Sequence, residues 1–442
     1  MTRDIYMTYN KMDSHQRPPN VQRLSSNGEG IHVQITPLRS WTLAVRRLTL
    51  LVFIALLMLS STSFGADPAI TLIKAARVYT AKGKPLQPGM VLITGQKITK
   101  VAKSITPPKG AKIIDLGKGA VMPGMVDANA SVRLASGQSE ITREVAANYS
   151  TYVSIDIYQR RFKELRAEGT TSLAILPGTD SVVGGIACVL KSGSRTRIVD
   201  AFAALLLNVC SDPRSGNRSR SRPDSIFVRQ PTNRMGVVWI LRRTFHKAKS
   251  GNTRTSYLAG LLRDKRHIMA RSRTAFDIRA LLTIASEWDF APTIVGGEES
   301  YKVAEELAKR QIPVILSPLS PSANRGREGT ELVPNRAAIL KRAGVKFSLS
   351  GGDLLNQARF AVRFGLSKDQ ALKAITIDPA YILGHASRIG SIEPGKDADL
   401  VALSADPFEF TTKIQWVMVG GRVYPNTAPR KTTPPSTSKK KK

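Results

Sequence analysis

The feature that most constrains this chain is a change of hydrophobic period that recurs along it. From about Val121 onward, short apolar runs of strand length alternate with segments whose apolar residues fall at helical spacing. The run AVMPGMVDANA reads as a buried strand entering a loop. YQRRFKELRAEG is helical in pattern and ends on Gly169, a C-cap residue, before the strand-like TTSLAILPG. Further on, TAFDIRALLTIASEW precedes APTIVGG, SYKVAEELAKRQ precedes IPVILSPLS, and NRAAILKRAG precedes VKFSLSGGD. SKDQALKAITIDPAYILG closes the series with two short helices. Strands followed by helices in series predict a parallel sheet with right-handed crossovers. Residues 122–388 have the size of a (β/α)8 barrel.

Either side of this span the period is that of strands. ITLIKAARVYTAKGKPLQPGMVLITGQKITKVAK alternates apolar and polar residues between Gly and Pro turns, and strands return in GSIEPGKDADLVALS and KIQWVMVGGRVY. The expected fold class is therefore α/β: a (β/α)8 TIM barrel over 122–388 with a small discontinuous β-sandwich domain. The sandwich is assembled from residues 66–121 and 389–426. A basic tail, 427–442, with three prolines and no acids, is expected to be disordered.

The amino end is set apart. Leu48 to Leu59 is a twelve-residue apolar run behind Arg39, Arg46 and Arg47, followed by Ser63-Phe64-Gly65. Residues 1–65 read as a leader with a signal peptide cut before Ala66, which predicts export to the periplasm or outside the cell. An uncleaved anchor fits less well, since a membrane span needs roughly 20 apolar residues.

The composition, 42% hydrophobic and 22% charged, excludes a disordered chain, and the net charge of +33 by itself points to nucleic acid or an anionic membrane. Its placement alters that. Residues 211–280 carry 14 Arg and 3 Lys against 4 acids, centred on an Arg-rich insertion at about 211–225. The insertion has no interleaved aromatics to stack on bases, so specific nucleic-acid recognition is not expected. An anionic envelope polymer, met through the basic insertion and tail, is the expected class of macromolecular partner, against the plainer reading of a solvated loop. The two cysteines, Cys188 and Cys210, cannot make a structural zinc cluster and read as small core residues.

Particular strings carry a resemblance. Met122-Pro123-Gly124-Met125-Val126-Asp127, the Gly-Thr-Thr at 169–171, and above all IGSIEPGKDADLV at 389–401 followed by VMVGGRVY resemble the amidohydrolase superfamily, in its imidazolonepropionase-like branch. NRMGVVWILRR (233–243) and residues 300–307 resemble secreted members of that branch. The resemblance covers about Ile70 to Tyr424. It implies a barrel with a small β-sandwich and the hydrolysis of C–N bonds in cyclic amides, dipeptides and related compounds. It also implies a divalent metal, zinc or another, that activates water and polarises the scissile carbonyl.

The ligands that the resemblance calls for are missing from this sequence. Relatives end the first barrel strand in Asp-x-His-x-His; here the string is Asp127-Ala128-Asn129-Ala130-Ser131, and neither a neutral amide nor a hydroxyl replaces imidazole for zinc. The next histidine position, before TAFDI, holds Arg271, and the following one holds Gly296 or Gly297. The final aspartate aligns with Gly352, leaving Asp353, one residue on, as a surviving catalytic candidate if a bulge restores its direction. No metal and no other cofactor is therefore expected. His246 reads as surface, His385 as a loop or C-cap residue, and His267 as able to approach the barrel mouth. Lys191 stands where some relatives place a bridging lysine, against the commoner meaning of an exposed strand end. Glu298 with Glu299 forms either a carboxylate pair near the mouth or, the preferred reading, the acidic start of the following helix.

Three functions are compatible with these residues. The favoured one is an exported, non-catalytic superfamily member that binds a small ligand in the barrel mouth or a partner such as a metal-competent paralogue. The second is an active hydrolase with an atypical carboxylate site drawn from Asp127, Asp353, Glu298 and Lys191. The third is an envelope interaction protein acting through its basic segments.

Overall fold

The computed structural model describes residues 69–132, 140–193, 197–214, 217, 230–251, 257–319, 330–331 and 333–426. The leader, the tail and all of the Arg-rich insertion except 211–214 and 217 lie outside the described residues.

Two small sheets precede and follow the main one. The first contains β1 (Ile70–Ala75), β3 (Gly89–Thr94), β4 (Lys97–Ala102) and β5 (Lys112–Asp115), in the order β4-β3-β1-β5. The second brings together β2 (Arg77–Val78), β6 (Ala120–Pro123), β15 (Leu400–Leu403), β16 (Ile414–Val419) and β17 (Arg422–Pro425), in the order β17-β16-β15-β6-β2. Here β15 pairs antiparallel with β6, Leu400 facing Pro123 and Leu403 facing Ala120, so strands from opposite ends of the chain share one ladder. Ile73, Val91 and Ile93 of the first sheet and Val121, Leu400 and Met418 of the second lie in a common apolar cluster.

The central sheet has eight strands in sequence order: β7 (Met125–Asp127), β8 (Thr170–Ile175), β9 (Val183–Lys191), β10 (Ile198–Asn208), β11 (Ile268–Ser272), β12 (Pro292–Gly296), β13 (Val314–Leu316) and β14 (Phe347–Leu349). The helices are α1 (Arg160–Ala167), α2 (Arg234–Ser250), α3 (Tyr257–Arg263), α4 (Ala275–Glu287), α5 (Ala304–Lys309), α6 (Arg336–Arg342), α7 (Leu354–Arg363), α8 (Lys368–Lys373) and α9 (Ile377–Ile382). Strand alternation divides the core. Met269, Val295 and Ile315 pack into one cluster with Val126, Ala174, Val189 and Leu206, while Ile268, Ala270, Ile294 and Val314 pack into another with helix residues Leu281, Leu307 and Leu340. Each such fully buried aliphatic side chain contributes about 1.5–3 kcal/mol. Helix α4 starts where its sequence dictates: the Thr274 hydroxyl accepts from the Asp277 N–H and the Asp277 carboxylate accepts from the Thr274 N–H, a capping box.

The sheet departs from the all-parallel series expected of a (β/α)8 barrel at one strand. β9 runs antiparallel to both β8 and β10. Seven residues separate β8 from β9 and six separate β9 from β10, too few for the crossover that parallel neighbours need, so both connections are hairpins. The helical run SYKVAEELAKRQ also divides, into a 3-10 turn over Ser300–Val303 and the six-residue α5. Between the outer strands β7 and β14, main chain of Ala374 and Ile375 bridges the seam. The Leu349 N–H donates to Ala374 O and the Val126 N–H to Ile375 O, each at 2.9 Å.

Candidate functional site

The parallel strands end together, and the residues just beyond them form the candidate site. At the end of β7, Asp127 is fully buried and clasps main chain on the far side of the seam. Its carboxylate accepts from the N–H groups of Gly351 (3.1 and 3.2 Å), Gly352 (3.0 Å) and its own neighbour Asn129 (3.0 Å). Gly351 and Gly352 have φ of +94° and +84°, a left-handed pair that turns both N–H groups towards one anion. A Cβ on Gly351 would sit 2.7 Å from Pro318. Burial pushes the Asp127 carboxyl up, while the three N–H donors and the nearby Arg161 guanidinium oppose that shift.

The remaining ligand positions offer little to a cation. Asn129 is part-exposed and Ser131 exposed, and the Ser131 carbonyl accepts from Arg161 Nε at 3.3 Å. Gly296 and Gly297 both have positive φ, and a Cβ on Gly297 would come within 2.6 Å of Val314 Cγ1. Arg271 lies on β11 two residues beyond the inward-packed Met269, so its side chain leaves the strand on the interior face. It makes no hydrogen bond or ion pair with the described residues, its Nε is sealed from solvent without a partner, and burial pushes its pKa down. In register beside it on β10 is Asn208, fully buried, whose Nδ2 donates to Ser181 O (2.7 Å) and Gly178 O (3.2 Å) while Oδ1 has no partner.

A charged network lies over the ends of β10, β11 and β12. Arg273 grips Asp212 through a two-pronged fork, Nη1 to Oδ1 at 2.7 Å and Nη2 to Oδ2 at 2.6 Å, and its Nε stands 3.8 Å from Glu298 Oε1. Burial works against the Arg273 charge, but the Asp212 hydrogen bonds overcome it and raise the pKa. Arg336, on α6, is 1% exposed and donates to the carbonyls of Ser317 and Pro318. Burial lowers its guanidinium to about 10, with Glu298 pulling the other way.

The sequence candidates are scattered rather than convergent. Asp353 is exposed, adopts φ +41° ahead of α7, and accepts from Asn356 Nδ2 at 2.8 Å; the glycine pair does not turn it to the interior. Glu298 is buried and accepts from Thr330 Oγ1 at 2.5 Å, and Glu299 accepts from the Ala275 N–H, so it serves the first turn of α4 and not the helix that follows it. Lys191 is displaced furthest. β9 runs antiparallel, so its last residue reaches the opposite end of the sheet, beside Ser172 near the start of β8. Lys191 is neither at the strand ends that hold Asp127 nor an exposed strand end. It is 2% exposed and paired to Asp397 (2.5 Å) and Asp399 (2.9 Å), with Lys97 and Arg388 completing the cluster on Asp397. His267 is also at that end, before β11, with Nε2 2.9 Å from Thr293 Oγ1, and does not approach the Asp127 end. His385 stands 3.3 Å from Asp200, His246 is exposed on α2, and both cysteines are free and buried.

These side chains do not fit the divalent ion that the resemblance implies. Among the described residues no three His, Cys, Asp or Glu side chains converge. The one carboxylate at the end of β7 is surrounded by main-chain donors, and a guanidinium projects where an imidazole would be needed. Asn208, Asp212 and Arg273 were not anticipated from the sequence. A polar residue closing the apolar run FAALLLN was the available signal for Asn208.

Comparison with known proteins places this geometry. Residues 328–424 match the profile of the amidohydrolase family. A solved amidohydrolase from Thermotoga maritima is similar at 30% identity and a TM-score of 0.72, the match covering 80% of this chain and 99% of that one. The amidohydrolase tasK of Hapsidospora irregularis is 24% identical over 72% of this chain and 38% of its own length. An imidazolonepropionase of Thermoplasma acidophilum is 45% identical over 18% of this chain and 21% of its own. The matched part of the chain thus spans well under two thirds of either curated relative. The solved neighbour gives a TIM-barrel type fold of α/β content.

Proposed function

The chain belongs to the amidohydrolase superfamily as an imidazolonepropionase-like member, and from that premise we propose that it binds a small molecule at the C-terminal strand ends without metal-dependent hydrolysis. One observation carries the proposal: Arg271, a fixed cation with no protein partner, occupies the interior of β11 where the family resemblance calls for a metal-binding histidine. A divalent ion beside a guanidinium meets like charge and gains no lone pair, so the side chain works against metal loading.

The proposal treats the eight-stranded sheet as a barrel closed at Ala374 and Ile375, and the two smaller sheets as one sandwich; the seam hydrogen bonds and the shared apolar cluster support it. The atypical carboxylate hydrolase has less support, since Asp127, Glu298 and Asp353 each have other partners and Lys191 lies at the other end of the sheet.

The test is elemental analysis of the full chain after incubation with zinc, manganese or cobalt and desalting, alongside hydrolysis assays on cyclic amides and dipeptides. Metal well below one equivalent and no hydrolysis are expected. A stoichiometric ion that restores hydrolysis would overturn the proposal.

A further inference from the structure

The leftover hydrogen-bonding groups on β10 and β11 define what such a site would hold. Asn208 and Arg271 are register partners on adjacent parallel strands, and both follow inward-packed residues, Leu206 and Met269. Their side chains therefore leave the sheet side by side. The Asn208 amide orientation is fixed by chemistry, because both neighbours of Nδ2 are carbonyl oxygens and must be met by the N–H groups. Oδ1, an acceptor, is left buried and unpaired; Arg271 Nε, a donor, is left buried and unpaired next to it.

A buried donor and acceptor normally find partners, and an unpaired buried guanidinium is the most costly of such groups. The nearest carboxylate, Asp212, is already held in the Arg273 fork, so the protein itself does not answer Arg271. Arg271 keeps partial solvent exposure while its Nε is sealed, so a ligand can reach the guanidinium.

We propose that Arg271 and Asn208 form a binding site for small carboxylates that carry an N–H next to the acid group, the carboxylate taking the guanidinium and the N–H donating to Asn208 Oδ1. N-acyl amino acids are the simplest members of that class. A planar guanidinium matches a carboxylate in two parallel hydrogen bonds, and the amide oxygen beside it rewards only ligands with a donor at that position. The proposal rests on the ligand-binding function inferred above and narrows it to a ligand class.

The experiment titrates N-acetylglycine into the full chain by calorimetry, with N-acetylglycinamide as the uncharged control and N-acetyl-N-methylglycine as the control without the N–H. Saturable binding of N-acetylglycine is expected, roughly thirtyfold or more weaker for the amide and about fivefold weaker for the N-methyl compound. Arg271→Met should abolish binding, Arg271→Lys should retain a weakened part of it, and Asn208→Ala should erase the preference for the N–H. The Arg271 variants remove no protein contact, so unfolding curves run in parallel confirm that the protein tested is native.

No saturable binding of N-acetylglycine, equal binding of acid and amide, or unchanged binding by Arg271→Met would each overturn the ligand assignment. These outcomes are separate from those of the metal analysis. A metal-free, inactive protein that ignores N-acetylglycine loses the ligand class alone, whereas a metal-loaded hydrolase loses the parent proposal.

Discussion

The two ends of the central sheet treat buried charge in opposite ways. At the end where the parallel strands begin, Lys191 is matched by Asp397 and Asp399, and Asp397 also meets Lys97 and Arg388. The titration directions follow from this crowding. Burial would raise Asp397, but three cations lower it, whereas Asp399, fully buried with Lys191 as its one cation, is left raised. At the end where the parallel strands finish, Arg271 and Asn208 keep unpaired atoms. Polar groups closed off by their neighbours serve the fold, and those left open are available to a ligand.

The largest test of that contrast is Lys191→Met. Removing the cation strands two carboxylates in a closed site, and a loss of about 3–5 kcal/mol is expected from denaturant unfolding. A variant as stable as the parent would show that the cluster is not a structural latch. Asp127→Ala follows, since it orphans the Gly351 and Gly352 N–H groups and should cost about 2–4 kcal/mol by the same measurement.

Arg271→Met should do the reverse of Lys191→Met although both delete a buried cation. With no protein partner to strand, it should leave stability unchanged or raise it by about 1–2 kcal/mol. A large destabilisation would reveal a structural role for Arg271 and dissolve the distinction between the two ends. The smallest effect concerns Glu393, which is mostly exposed. Burial would raise its pKa, but hydrogen bonds from Lys396, Lys82 and Ser391 bring it from 4.5 down to about 2. A depressed carboxyl stabilises the fold above its unfolded value and loses that contribution as pH falls from 4.5 towards 2. Glu393→Gln should therefore flatten acid unfolding in that window, by less than about 1 kcal/mol given its exposure.

Much of the framework was legible from local pattern. The helix at Thr274 announces itself through a hydroxyl and a carboxylate three residues apart, and Gly169, at φ +92°, ends α1 as its position suggested. Arg271 was placed near the end of its strand by register with TAFDI, and the structure has it there. The direction of β9 was less visible, because apolar residues on both faces read alike in parallel and antiparallel strands; the short connections at either side were the overlooked signal. That one reversal moved Lys191 from the site to the far end.

The sequence by itself determined which segments are strands and helices, that both ends of the chain contribute to β-structure beside a large α/β unit, and that histidines are missing from the strand-end motif. These follow from periodicity, turn residues and residue identity, all local properties. Tertiary structure alone decided that Asp127 clasps glycines 224 and 225 positions away, that Lys191 pairs 206 and 208 positions away, and that Asn208 stands beside Arg271 with an acceptor unused. The cost of a buried polar group depends on what lies within about 3 Å of it, and chain folding sets those neighbours without regard to sequence distance.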